Sequence, residues 1–164
     1  MIIRDATHAD VPAMTDTLNW AIRNTDVIFR AHEATVDERK AHLEQLHNDG
    51  CPCLIAEDDQ GTYLGWALYR PFGDPAVWLG SYETTIYLDP AAQGKGVGTQ
   101  LLGAVVQRAR ADEKVHTLLA RIVATNAASI KLHEKFGFAT VGTFREVSRK
   151  FDHWLDLTHL QLIV

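Results

Sequence analysis

Three groups of residues in this chain have the types and spacing to do chemistry. The first is Gln93-Gly94-Lys95-Gly96-Val97-Gly98-Thr99. Its glycines let the backbone come close to an anion, and the free amides of a helix start point at whatever lies there. Lys95 can add positive charge. A diphosphate is the ligand that suits this arrangement, and a loop used only for turning is the alternative. A Walker loop needs Gly-x-x-x-x-Gly-Lys-Ser/Thr, but here Lys95 is followed by Gly96. A dinucleotide fingerprint needs Gly-x-Gly-x-x-Gly, but here the glycines fall at 94, 96 and 98.

The second is Glu83, inside Tyr82 to Leu88, a stretch with the β-branched and aromatic content of a strand. Ser81, Thr85 and Tyr87 share its side of that strand. A carboxylate among apolar neighbours holds its proton more tightly, which suits base chemistry near neutrality. A solvent-facing or salt-bridged glutamate is the other reading. The third is the set of eight histidines, with the two cysteines Cys51 and Cys53. No histidine pair forms His-Glu-x-x-His, and His42 and His47 are off one helical face. The cysteines are too close for an unstrained bridge and lack a nearby partner pair. No metal is expected.

Positioning these groups requires the following elements. Ile2-Ile3-Arg4 starts a short strand. Asp10 caps a first helix, with Pro12 in its first turn and Val11, Met14, Leu18 and Ala21 at helical spacing. A second helix follows Thr35, with Asp37 and Glu38 in its first turn, and stops near Asn48-Asp49-Gly50. Cys53 to Glu57 and Tyr63 to Tyr69 form a hairpin, and Arg70 to Val77 reads as a loop. After the strand that carries Glu83, Gly96 to Ala111 is amphipathic, with Val97, Leu101, Leu102, Val105, Val106 and Ala109 in one stripe. Val115 to Ala124 reads as a buried strand, and Ala127 to Phe136 as a helix capped by Asn126 and closed by Gly137. Two strands finish the chain, the last from Leu155 to Val164. This order predicts an α/β (α+β) fold with mixed strands.

The 164 residues fit one domain, spanning 1–164, with no repeat or linker. A net charge of −5 argues against a general phosphate-backbone binder, so no nucleic acid partner is expected. No apolar run reaches membrane-span length, so no membrane partner is expected either. The first residues carry no signal-peptide core, and the cytoplasm is the expected location.

Gln93-Gly94-Lys95-Gly96-Val97-Gly98 matches the pyrophosphate motif of the GNAT superfamily, written Gln/Arg-x-x-Gly-x-Gly/Ala. The lead-in Ile86-Tyr87-Leu88-Asp89-Pro90 fits, and Asn126-Ala127-Ala128-Ser129 with Lys131 to Phe138 resembles a second signature. Val27-Ile28-Phe29-Arg30, Tyr82 to Tyr87 and Lys150-Phe151-Asp152-His153-Trp154-Leu155-Asp156 resemble the phosphinothricin and methionine sulfone (sulfoximine) acetyltransferase group. The resemblance runs nearly end to end. It implies a central, mixed, mostly antiparallel sheet with a splayed parallel pair and about four flanking helices.

It also implies an enzyme that moves an acetyl group from acetyl-CoA to the primary amine of a small amino acid or analogue, both substrates being held together. Glu83 is then the general base. His133 stands where many members place a tyrosine that protonates the leaving thiolate. Ile86, Tyr87 and Leu88 would offer backbone to the pantetheine arm. Gln93, Gly94, Lys95, Gly96, Val97, Gly98 and Thr99 would cradle the diphosphate, and Asn126 and Ser129 would complete the cosubstrate site. A homodimer is implied as well. Phosphinothricin-acetylating relatives carry an arginine and a tyrosine before the glutamate, whereas this chain has none of the former between Pro71 and Glu83. Phe29, Arg30, Phe72, Trp78 and Lys150 are the candidate acceptor contacts. The alternatives are a peptide or protein amine as acceptor, and a non-catalytic acyl-CoA-binding module.

Overall fold

Each helix forms where the sequence supplies both an apolar stripe and an end signal. In the computed structural model, which describes residues 1–30 and 32–164, α1 spans Val11–Asn24 and α2 spans Val36–Asn48. Thr35 and Glu38 make reciprocal side-chain-to-backbone bonds at the start of α2, satisfying two otherwise orphaned amides. Asp10 does not cap α1 with its side chain. Its carboxylate is taken by the Thr7 amide and by Arg4, closing a short 3-10 turn before the helix.

The α3 helix spans Val97–Arg110, and the whole predicted stripe from Val97 to Ala109 is buried. A fully buried leucine or valine contributes about 1.5–3 kcal/mol. Leu101→Ala in the middle of the stripe would cost about 2–5 kcal/mol. The α4 helix spans Ala127–Lys135, and Gly137 follows it at φ +91°.

The strands are β1 Ile2–Asp5, β2 Cys53–Glu57, β3 Tyr63–Pro71, β4 Ser81–Leu88, β5 Thr117–Val123, β6 Ala139–Lys150 and β7 His153–Ile163. They form one seven-stranded sheet in the order β1-β2-β3-β4-β5-β7-β6. Arg70 and Pro71, expected in a loop, are on β3, with Arg70 directly opposite Glu83. Every neighbouring pair is antiparallel except β4 and β5.

That parallel pair is short. It matches Ser81 with Thr117, Tyr82 with Leu118 and Glu83 with Leu119, and then stops. Beyond it, β4 stays paired with β3 as far as Leu88, and β5 with β7 as far as Val123. The two strands therefore part, leaving Thr84 to Leu88 with one edge unpaired by β5. Leu88 and Ile86 pack toward Gly98 of α3, and Thr84 meets His133 of α4. On the opposite face, Trp66 of β3 lies beneath Arg39 of α2.

Candidate active site

The sheet's parting creates a cavity of about 860 Å³. Glu83, Ile86, Tyr87, Leu88, Gln93, Gly94, Asn126, Ser129 and His133 all line it, although they come from three separate parts of the chain. Phe29 and Arg30 line it from the segment after α1.

Gly94 and Gly96 have φ of +74° and +82°, a region that favours glycine. A Cβ at either would meet nothing within 4 Å, so both face open space. Gly96 caps α3 through its backbone alone. The first amides of a helix lack intrahelical partners and carry the positive end of its dipole, so they suit a phosphate. Lys95 and Thr99 border this start, with Lys95 exposed. The Val97 side chain is buried in the core, so only its backbone is free to face a ligand. Gly98 serves packing, because a Cβ there would press on Leu132 at 3.3 Å and Leu88 at 3.4 Å.

Asn126 caps α4 by accepting from the Ser129 amide at 3.1 Å, which aims this asparagine at the cavity rim. An extended, amide-bearing chain fits the parted strands, since it can bond to the free edge of β4 as a missing strand would.

Glu83 is 7% exposed, but its neighbours are not apolar as expected. Arg121 of β5 grips the carboxylate side-on: its Nε donates to Oε1, and its Nη2 donates to Oε2 at 3.0 Å. Arg70 adds a bond to Oε2 at 3.1 Å. Glu83 in turn raises the Arg121 pKa above its ordinary value by accepting these bonds. A carboxylate has about four acceptor positions. Three are filled, leaving room on Oε1 for one donor from a substrate or water.

His133 is 2% exposed, and burial pushes its pKa below the ordinary value. Its Nδ1 lies 2.8 Å from the Ser129 carbonyl, which can only accept, so this nitrogen carries the proton of the neutral ring. Nε2 then faces the Thr84 hydroxyl at 3.4 Å, whose single proton is shared between this lone pair and the Leu119 carbonyl at 3.3 Å. Phe138 packs edge-on against the ring.

Three expected acceptor contacts are placed elsewhere. Phe72 and Trp78 pack on each other edge-to-face at 5.0 Å outside the cavity lining, with Trp78 half exposed. They belong to the turn between β3 and β4, which folds back on itself through Asp74. Lys150 donates to the Thr25 carbonyl at 2.6 Å and the Ile28 carbonyl at 3.2 Å. It tethers the cavity's wall without lining the cavity. Residues that sequence reasoning missed are Arg121, Thr84, Arg39 and His42, all on the cavity wall. A lone arginine in the apolar run Thr117 to Val123 was a signal for Arg121. The spacing of Arg39, Leu43 and Leu46 along α2 was a signal for a cation on a buried stripe.

Gln93 and Gly94 reach a cavity between parted strands whose wall carries an anchored carboxylate, while Lys95, Gly96, Val97, Gly98 and Thr99 lie beyond its lining at the start of α3, an arrangement that suits an acyl-CoA-using transferase. Residues 15–138 match the acetyltransferase (GNAT) family, and the chain belongs to that family. It is an acetyl-CoA-dependent N-acetyltransferase by that membership. It is 40% identical over 160 residues to the L-methionine sulfoximine/L-methionine sulfone acetyltransferase of Pseudomonas aeruginosa, covering 98% of this chain and 92% of that one. The crystal structure of a ribosomal-protein-alanine N-acetyltransferase from Brucella melitensis superposes with a TM-score of 0.95 at 40% identity, covering 100% of both chains. A GNAT superfamily phosphinothricin acetyltransferase from Sinorhizobium meliloti, solved with acetyl-CoA, gives a TM-score of 0.96 at 28% identity, covering 99% of this chain and 88% of that one.

Proposed function

We propose that this enzyme acetylates the primary amine of a small amino acid or analogue of the methionine sulfone, methionine sulfoximine or phosphinothricin type. The observation that carries this reading is the parted β4–β5 pair, with the Gly94–Gly96 turn at one end and the Glu83 carboxylate at the other. The Pseudomonas and Sinorhizobium proteins, by their names, supply the acceptor class. Acetyl-CoA, when bound, supplies an activated acetyl thioester.

The chain's own groups divide the remaining work. The amides of Gly94 to Thr99 and the Lys95 ammonium hold the diphosphate. Asn126, Ser129 and the free backbone edge of Ile86, Tyr87 and Leu88 hold the amide-bearing arm. Glu83 uses its open acceptor position to take the amine's proton, directly or through one water. Arg121 and Arg70 fix the direction in which that position points. His133 holds Thr84 beside the reacting centre. Burial favours the neutral His133 ring with its proton on Nδ1, so Nε2 positions Thr84, and the sulfur leaves as the thiolate and takes its proton from water or from the newly protonated Glu83. Phe29 and Arg30 wall the acceptor end.

The whole chain acts as one domain in this reading, free in the cytoplasm. The buried free thiols of Cys51 and Cys53 suit a reducing compartment. A second copy of the chain would cover β6 and β7, where Val141, Phe144, Val147 and Trp154 are exposed on and beside the edge strand.

A peptide amine is the second reading, supported by the name of the Brucella protein, a ribosomal-protein-alanine N-acetyltransferase. Thiol release from acetyl-CoA, measured across methionine sulfone, methionine sulfoximine, phosphinothricin, free amino acids and short peptides, separates the two. Turnover on the amino acid analogues is expected. Turnover confined to peptides would replace the first reading with the second.

A further inference from the structure

Arg39 is 8% exposed and lies on the cavity wall. Its Nε and Nη2 are buried without a hydrogen-bond partner among the described residues. Nearby arginines are already engaged, Arg70 with Glu83 and Arg30 with Glu38. Among the described residues, the partner of Arg39 is the face of Trp66, which its guanidinium covers at 5.0 Å. A cation over an aromatic ring regains part of its lost hydration, but the ring satisfies no N–H. Buried polar groups in folded proteins nearly always have partners, and a buried charge without one is costly. An arginine kept in this state is poised for a partner that arrives from the cavity.

The position narrows what that partner is. Trp66, Leu68 and Arg70 alternate along one face of β3, opposite Tyr87, Thr85 and Glu83 in turn. The Arg39 fork therefore sits at the Trp66–Tyr87 rung, and the anchored carboxylate at the Arg70–Glu83 rung. An acceptor laid along this face would put its amine toward Glu83 and a negative oxygen pair toward Arg39. His42, one turn further along α2, also has a buried Nδ1 without a partner among the described residues, beside the same wall.

We propose that Arg39 is the specificity-determining residue for an oxyanion on the acceptor, binding a carboxylate or comparable oxygen pair through its guanidinium fork. This rests on the amino acid reading of the site given above. A planar guanidinium matches two oxygens at once, which an ammonium cannot do. It gives this chain an oxyanion grip from helix α2, although it has no arginine between Pro71 and Glu83.

The test compares wild type with Arg39→Lys and Arg39→Met, the latter keeping an unbranched side chain over Trp66. With L-methionine sulfone, the acceptor KM rises at least tenfold in both variants, while the KM for acetyl-CoA stays within twofold. The melting temperature of Arg39→Met holds or rises, because a buried unpaired charge has gone. The source of the oxyanion follows from two analogues. A penalty that disappears on the decarboxylated amine of methionine sulfone assigns the α-carboxylate to Arg39. A penalty that disappears on norleucine assigns Arg39 to the uncharged sulfone oxygens and overturns the oxyanion reading. Unchanged acceptor KM with a lower melting temperature makes Arg39 a structural cation and overturns the proposal. Calorimetric titration with L-methionine sulfone separates this from failure of the acceptor reading. Binding that needs Arg39 without turnover keeps the proposal and removes the acceptor reading, whereas turnover with equal binding does the reverse. No difference between wild type and Arg39→Met in thermal shift with carboxylates, sulfonates and phosphinates also overturns it.

Discussion

Glu83→Gln separates chemistry from architecture most directly. The substitution keeps the side chain's shape and removes its charge. An amide NH2 must then face Arg121 or Arg70, so at least one guanidinium N–H loses its acceptor. Hydrogen bonds to charged groups contribute about 1.5–3 kcal/mol each when buried. Both arginine side chains are nearly half exposed and can turn to water, so the expected loss of stability is only about 1–2 kcal/mol. For a chain of this size that is a drop of about 2–8 °C in melting temperature. Catalysis should suffer more. Proton removal by a positioned base contributes about 10²–10⁴-fold, so kcat should fall by at least about a hundredfold. The assay is thiol release at saturating acetyl-CoA, with calorimetric affinity for acetyl-CoA as control. That affinity should change little, because the diphosphate end is remote from Glu83. A variant with full kcat and the lower melting temperature would refute the base assignment and leave Glu83 as the clamp for two arginines.

Gly96→Ala should weaken acetyl-CoA binding and cost about 1–2 kcal/mol in a denaturant titration, since φ is +82° while the space around a Cβ is open. Unaltered binding would refute a backbone role for this turn. Lys150→Met should raise the acceptor KM about tenfold, a cost of about 1.4 kcal/mol, by freeing the segment held through Thr25 and Ile28. Equal KM values would show that the tether is dispensable. Burial, followed by the charges of Arg39 and Arg70, pushes the His42 imidazole down to about 4 from 6.5. The unfolded chain therefore takes up this proton first, so stability is intact above pH 6.5 and is lost as pH falls toward 4. After solvent screening this amounts to about 1–2 kcal/mol, and His42→Gln should flatten that part of a melting-temperature profile. An identical profile in the variant would exclude His42 as the source.

Local features were legible in the sequence wherever a short pattern had one physical solution. The α3 stripe from Val97 to Ala109 could bury only one way, and glycines at 94 and 96 fitted a backbone with positive φ before a helix. Glu83 and His133 both stand on the cavity wall. Their surroundings were hidden because the partners come from distant chain. Arg121 meets Glu83 from 38 residues away, and Lys150 reaches Ile28 across 122. Asp10 had the composition of a cap, but Arg4 and Thr7 competed for its carboxylate and won. Phe72 and Trp78 read as pocket aromatics, but the turn through Asp74 directs them onto each other. The cationic position on α2 was overlooked because its one signal, the spacing of Arg39 with Leu43 and Leu46, is faint on a helix with few apolar residues.

Only three residue pairs join β4 to β5, so the sheet resembles two leaves stitched at one end. A bound pantetheine arm would close the rest of the seam. The cosubstrate then acts as a suture as well as a reagent, and the enzyme's resistance to unfolding becomes tied to the metabolic supply of acetyl-CoA. At a hundred times its dissociation constant, a ligand that binds only the folded state adds about 2.7 kcal/mol. In a cell short of acetyl-CoA, this protein would lose its substrate and part of its protection from proteases together.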